Sequence, residues 1–128
     1  MLFTAFISLI WISCASVEKR IAANEQVFST YPPEVQAELR QGKIALGYDM
    51  KMVEIAKGPP SYVNLKQSEA GETTIWRYMQ MQQYTKSVPV YDRGIAGASW
   101  ATITETDEFE VLRVEFKNNQ VISFEEIQ

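Results

Sequence analysis

The hydrophobic period of this chain changes at Gly58-Pro59-Pro60, and that change limits the folds open to it. Ahead of this point apolar residues recur at helical spacing; from Ser61 onward they alternate. The glycine is free to leave a helix and the two prolines cannot continue one, so the boundary is marked by two independent means. Helices followed by a run of strands predict an α+β fold.

The helical part divides at Tyr31-Pro32-Pro33. Proline is tolerated in a helix's first turn, and Glu34 there complements the macrodipole. Val35 and Leu39 lie one turn apart and Gly42 follows as a stop, which predicts a helix over 33–41. Lys43 to Leu46 is a short connector. Asp49 is a good N-cap, and Met52, Val53, Ile55 and Ala56 form a broad apolar stripe, predicting a second helix over 50–57. Helices this short hold only when packed on something else. Upstream, Val17, Ile21 and Phe28 fall at broadly helical spacing, so residues 14–31 read as a short helix or a tether.

Past Ser61, Tyr62 to Lys66 and Thr73 to Met79 alternate around a Ser68-Glu69-Ala70-Gly71-Glu72 turn, a hairpin signature. Trp76 and Tyr78 share one face; Ile75 and Met79 share the other. Residues 84–107, with Pro89, Gly94, Gly97 and a polar tract, read as a long loop carrying at most one irregular strand near Ser99 to Ile103. In the last segment Leu112, Val114 and Phe116 face one way. To set Ile122 and Phe124 on that same face, the connection must have odd length, and a Lys117-Asn118-Asn119 loop with Asn119 left-handed satisfies this. A two-residue Asn-Asn turn would instead bring up Val121, Ser123 and Glu125. The architecture expected is two-layer α+β: two short helices packed on a small antiparallel sheet of 3–4 strands.

At 128 residues the chain is one domain, with 46% apolar and 22% charged residues, ordinary for a globular protein. The net charge of −4 argues against a nucleic-acid partner, which calls for a basic footprint. The chain has no histidine and one cysteine, Cys14. That excludes histidine-based acid–base or nucleophile pairs, histidine metal sites and cysteine-rich zinc sites. No phosphate-cradling glycine motif is present. Asp107, Glu108 and Glu110 cluster, but neighbouring carboxylates at a strand start read as a solvated edge. Hence no catalytic residue, no metal ligand and no cofactor is expected.

Cys14 closes an uncharged run, Met1 to Ile12, and Glu18-Lys19-Arg20 opens a charged region after it. The run has the length of a secretory h-region and is too short to span a bilayer. No Lys or Arg precedes it, so the α-amino group alone supplies positive charge. With Ser13 and Ala15 beside it, Cys14 resembles the modified cysteine of a bacterial lipoprotein, which becomes the mature N-terminus and carries acyl chains. Residues 1–13 would then be the signal peptide. By the same resemblance Ala15, where Asp would retain the protein at the inner membrane, favours the outer one. The competing reading is a buried helix with Cys14 as an ordinary core thiol.

Three further pieces resemble the SmpA/OmlA family of small outer-membrane lipoproteins, which have the BamE-like fold. Leu39-Arg40-Gln41-Gly42-Lys43-Ile44-Ala45-Leu46-Gly47 is similar to the family's glycine-bearing link between two helices. Val53 to Pro60 is similar to its helix end. Trp76-Arg77-Tyr78, with Val114-Glu115-Phe116-Lys117-Asn118-Asn119-Gln120-Val121 later, is similar to its strands. The likeness covers about residues 36–125. Asn119 stands where glycine is commoner, Tyr48-Asp49 replaces Met-Thr, and the 84–107 insertion is longer than in compact members.

The resemblance implies a BamE-like domain over 32–128, lipid-anchored at Cys14 on the periplasmic face of the outer membrane. Its expected role is non-enzymatic: an interaction or scaffold module for an envelope protein partner, in outer-membrane protein assembly or envelope integrity. The alternative is a soluble exported binding or inhibitory module of the same fold. Loops carry function disproportionately, so Tyr91 and Trp100, in the 84–107 insertion, are the expected partner-binding residues.

Overall fold

The computed structural model describes residues 11–91 and 99–127. The expected leader lies outside the described residues up to Ile10, as does the Gly94 to Gly97 stretch. Four helices come first: α1 (Trp11–Ala23), α2 (Glu25–Phe28), α3 (Pro33–Arg40) and α4 (Met50–Lys57). Four strands follow: β1 (Tyr62–Ser68), β2 (Gly71–Val90), β3 (Ser99–Lys117) and β4 (Gln120–Glu126). They form one antiparallel meander in the order β1-β2-β3-β4. The α+β expectation holds, with a sheet of four strands. No helix among the described residues is long and apolar enough to cross a membrane.

The local signals act as the sequence suggests. Asp49 caps α4 through its side chain, which accepts from the Met52 amide at 2.8 Å. Gly58 ends α4 with φ of 85°, a conformation that side-chain-bearing residues rarely adopt. Tyr78, from the sheet, donates its hydroxyl to the Gly58 carbonyl at 2.8 Å, fixing the helix end to β2.

The helices cover one face of the sheet. Leu39, Val53 and Ile55 from above meet Trp76, Leu112, Val114, Phe116 and Val121 from below, all buried. Trp76 and Phe116 pack edge to face with centroids 4.9 Å apart. Of the two readings of residues 14–31 the helical one holds: α1 and α2 send Val17, Ile21 and Phe28 into this same core. Burying these three apolar side chains offsets part of the freedom lost by ordering the two helices.

The connection of the last hairpin also differs from expectation. Asn118 and Asn119 both have positive φ, 53° and 59°, and Lys117 pairs with Gln120, so the turn has two residues. Apolar register is recovered elsewhere: a bulge lets Phe116 face Val121 while Val114 faces Phe124. Ile122 and Phe124, both expected on the core face, are exposed, and Val121 is the buried residue of β4. The α3–α4 connector adds to this edge: the Gly47 amide donates to Val121 and the Val121 amide to Tyr48, at 2.9 and 2.8 Å.

Candidate interaction ribbon

The 84–107 segment, expected as a long loop, is mostly strand. β2 and β3 pair continuously from Thr74↔Phe116 to Val90↔Ser99. β1 accompanies β2 only over Gly71 to Arg77, and β4 accompanies β3 only over Leu112 to Lys117. Beyond Met79 and Glu110 the two strands continue as a ribbon of two. At about 3.4 Å per residue, Met79 to Val90 extends some 40 Å. Threonine-rich sequence favours extended backbone, and a wet ribbon has no buried face to betray it.

The register shifts where the ribbon leaves the body: Tyr78 pairs with Leu112 and Met79 with Glu110, leaving Val111 as the extra residue. Within the body, Leu112, Val114 and Phe116 face the helices. Past the bulge the same side carries Phe109, Asp107, Glu105 and Ile103, opposite Gln80, Gln82, Tyr84 and Lys86. The other side carries Met81, Thr85 and Ser87, with Glu108, Thr104 and Thr102 opposite. Both sides are exposed along the ribbon.

Polar pairs hold the strands together. Tyr84 donates its hydroxyl to Glu105 at 2.7 Å, and Lys86 forms an ion pair with the same carboxylate. The Lys86 and Tyr84 hydrogen bonds hold the Glu105 carboxyl below its ordinary range. The carboxylate in turn pushes the Tyr84 hydroxyl up to about 12. At the root, Glu110 accepts from Arg113 at 2.7 Å and from Arg77 at 3.0 Å. Those bonds lower its pKa against the opposing effect of burial.

The expected site residues separate. Trp100, opposite Pro89, is 69% exposed and Tyr91, just past Val90, is 82% exposed; both stand at the far end of the ribbon. Trp76 and Tyr78 are core residues. Burial raises the Tyr78 hydroxyl pKa, with the Glu54 charge adding to it. The acidic cluster disperses: Glu110 goes to two arginines, while Glu108 accepts from the Tyr62 hydroxyl at 3.0 Å. Among the described residues no three acidic, histidine or cysteine side chains gather to hold a metal ion. Cys14 lies in the first turn of α1, three residues before Val17.

Sequence reasoning missed Met81 and Phe109, exposed apolar residues on opposite sides of the ribbon. The weak signal available was a threonine at every second position from Thr102 to Thr106, an alternation without hydrophobic contrast. No protein-family model, curated protein or solved structure matches the chain.

Proposed function

We propose that this chain is a lipid-anchored, non-enzymatic envelope protein, with a BamE-like domain that holds the β2–β3 ribbon out to a protein partner. One observation carries this reading: the ribbon extends past the sheet with both sides wet, and exposed Tyr91 and Trp100 stand at its end. An isolated two-stranded hairpin is marginal in water. Keeping exposed aromatics on one makes sense where a partner covers them, since Trp and Tyr dominate interface hot spots.

The leader-like run ending at Cys14, and the motifs of helix link, helix end and strands, support the envelope setting. Function follows from confinement: an acyl anchor raises the effective concentration of the ribbon near membrane-bound partners, so weak contacts suffice. Assembly or bracing of outer-membrane proteins is the partner class that the resemblance favours.

Two measurements test this. Mass spectrometry of the mature protein from native cells should find an N-terminus at Cys14 with added acyl mass. A photocrosslinker at Tyr91 or Trp100 should capture an envelope protein. An unmodified Cys14 in the soluble periplasmic fraction would favour the soluble module. A full-length chain in the cytosol with no ribbon crosslink would defeat both readings.

A further inference from the structure

We infer that the outer edge of β3, from Ser99 to Glu110, accepts an extended lysine- or arginine-bearing segment of the partner as an added strand. This rests on the partner-binding reading above and names the chemistry of what binds. Among the described residues each ribbon strand has one edge without a neighbouring strand, because β1 stops pairing at Arg77, and β4 stops at Leu112 with one further bond from the Ile127 amide to the Val111 carbonyl. Such an edge presents a row of backbone donors and acceptors that template another strand.

The two edges are not equivalent. β2 carries Lys86 mid-strand and Pro89, which lacks an amide hydrogen; both features blunt an edge against pairing. β3 from Ser99 to Glu110 contains no proline and no lysine, and is rich in strand-forming Trp100, Thr102, Ile103 and Thr104. The open template is therefore β3.

Charge selects the occupant. The ribbon strands carry Glu105, Asp107, Glu108 and Glu110 against Lys86 alone. Lys86 is committed to Glu105, and Glu110 to Arg77 and Arg113. Among the described residues no cation forms an ion pair with Asp107 or Glu108, which lie on opposite sides of β3. A basic strand laid along β3 meets carboxylates on either side, while its backbone completes the ladder. A second copy centred on these acids would instead set like charges across from each other, which is unfavourable.

The test titrates the full chain with two synthetic peptides, one alternating lysine with valine and one alternating glutamate with valine. The lysine peptide should bind and slow amide exchange at alternate positions between Ser99 and Glu110. Asp107→Asn with Glu108→Gln should weaken it about tenfold, and added salt should do the same. Both positions are exposed, so the double variant should unfold at the wild-type midpoint. Equal binding of the glutamate peptide, protection along β2 instead, or occupation of the β3 edge by a second copy would each overturn the inference. Ribbon crosslinks to an envelope protein with no lysine-peptide binding would sink this inference and leave the proposed function standing.

Discussion

Arg20 of α1 donates from Nε to the Ile55 carbonyl at 2.8 Å, and from Nη2 to that of Ala56 at 3.2 Å. The last carbonyls of a helix lack intrahelical partners, and a cation there also complements the macrodipole. Arg20→Met should therefore cost about 1–3 kcal/mol, read as a lower urea midpoint at unchanged slope. Gly58 is part of the same junction: a Cβ there would meet Arg20 Nη1 at 3.5 Å, and φ is +85°. Gly58→Ala should cost about 1–3 kcal/mol through backbone strain.

Phe116 is among the largest fully buried side chains and packs edge to face on Trp76. Phe116→Ala should destabilise the protein by about 3–5 kcal/mol. Near-ultraviolet circular dichroism should lose the signal of a fixed Trp76 ring. An unchanged spectrum and midpoint would show that the sheet does not pack as described.

The turn at Asn118-Asn119 separates two effects. Asn119→Ala places an ordinary residue at φ of 59° and should cost about 1–2 kcal/mol. Asn119→Gly relieves the strain but loses the side-chain oxygen that accepts from the Met50 amide at 3.3 Å. It should stay within about 0.5 kcal/mol of wild type, because that hydrogen bond is exposed.

Glu110 predicts a pH dependence. Its folded pKa is depressed, chiefly by the Arg113 hydrogen bond and then by Arg77. A depressed carboxylate contributes stability that is present above its unfolded pKa and is lost as pH falls through the folded value. Unfolding midpoints measured from about pH 6 down to about pH 3 should fall less steeply for Glu110→Gln than for wild type. Parallel curves would show that the two arginines do not hold this carboxylate.

Tyr84 reports whether the ribbon is folded in the free protein. Ultraviolet titration of wild type against Glu105→Gln should show one tyrosine moving from near 12 toward 10, while Tyr48, also raised to about 12 by burial and Glu38, stays in place. A wild-type Tyr84 that already titrates near 10 would mean that the strands are not paired there.

What was legible in the sequence was local. Asp49, Gly58 and Pro33 act within a turn of chain, so α3 and α4 were read nearly to the residue. The alternation of Trp76 with Tyr78, and of Leu112 with Val114 and Phe116, survived because one side of each strand is dry. The ribbon escaped because Thr102, Thr104 and Glu105 are wet on either side, leaving no contrast to read. The two-residue Asn118-Asn119 turn is not legible in the sequence because the bulge restoring register lies three residues away, beyond what turn chemistry reveals. Tyr91 and Trp100 stand out in the sequence as aromatics within the 84–107 insertion; their position at the end of a ribbon is not legible there.

The burial of Val17 bears on how any anchor would work. Only Ala15 and Ser16 separate it from Cys14, and at 1.5 Å per helical residue the two ends lie about 5 Å apart along the axis. Fatty chains at that cysteine would grip a stiff stub, not a slack leash. The altitude at which Trp100 patrols above the lipid would then be dictated by folding itself, and lengthening the stub with a flexible insert would be a direct way to detune it.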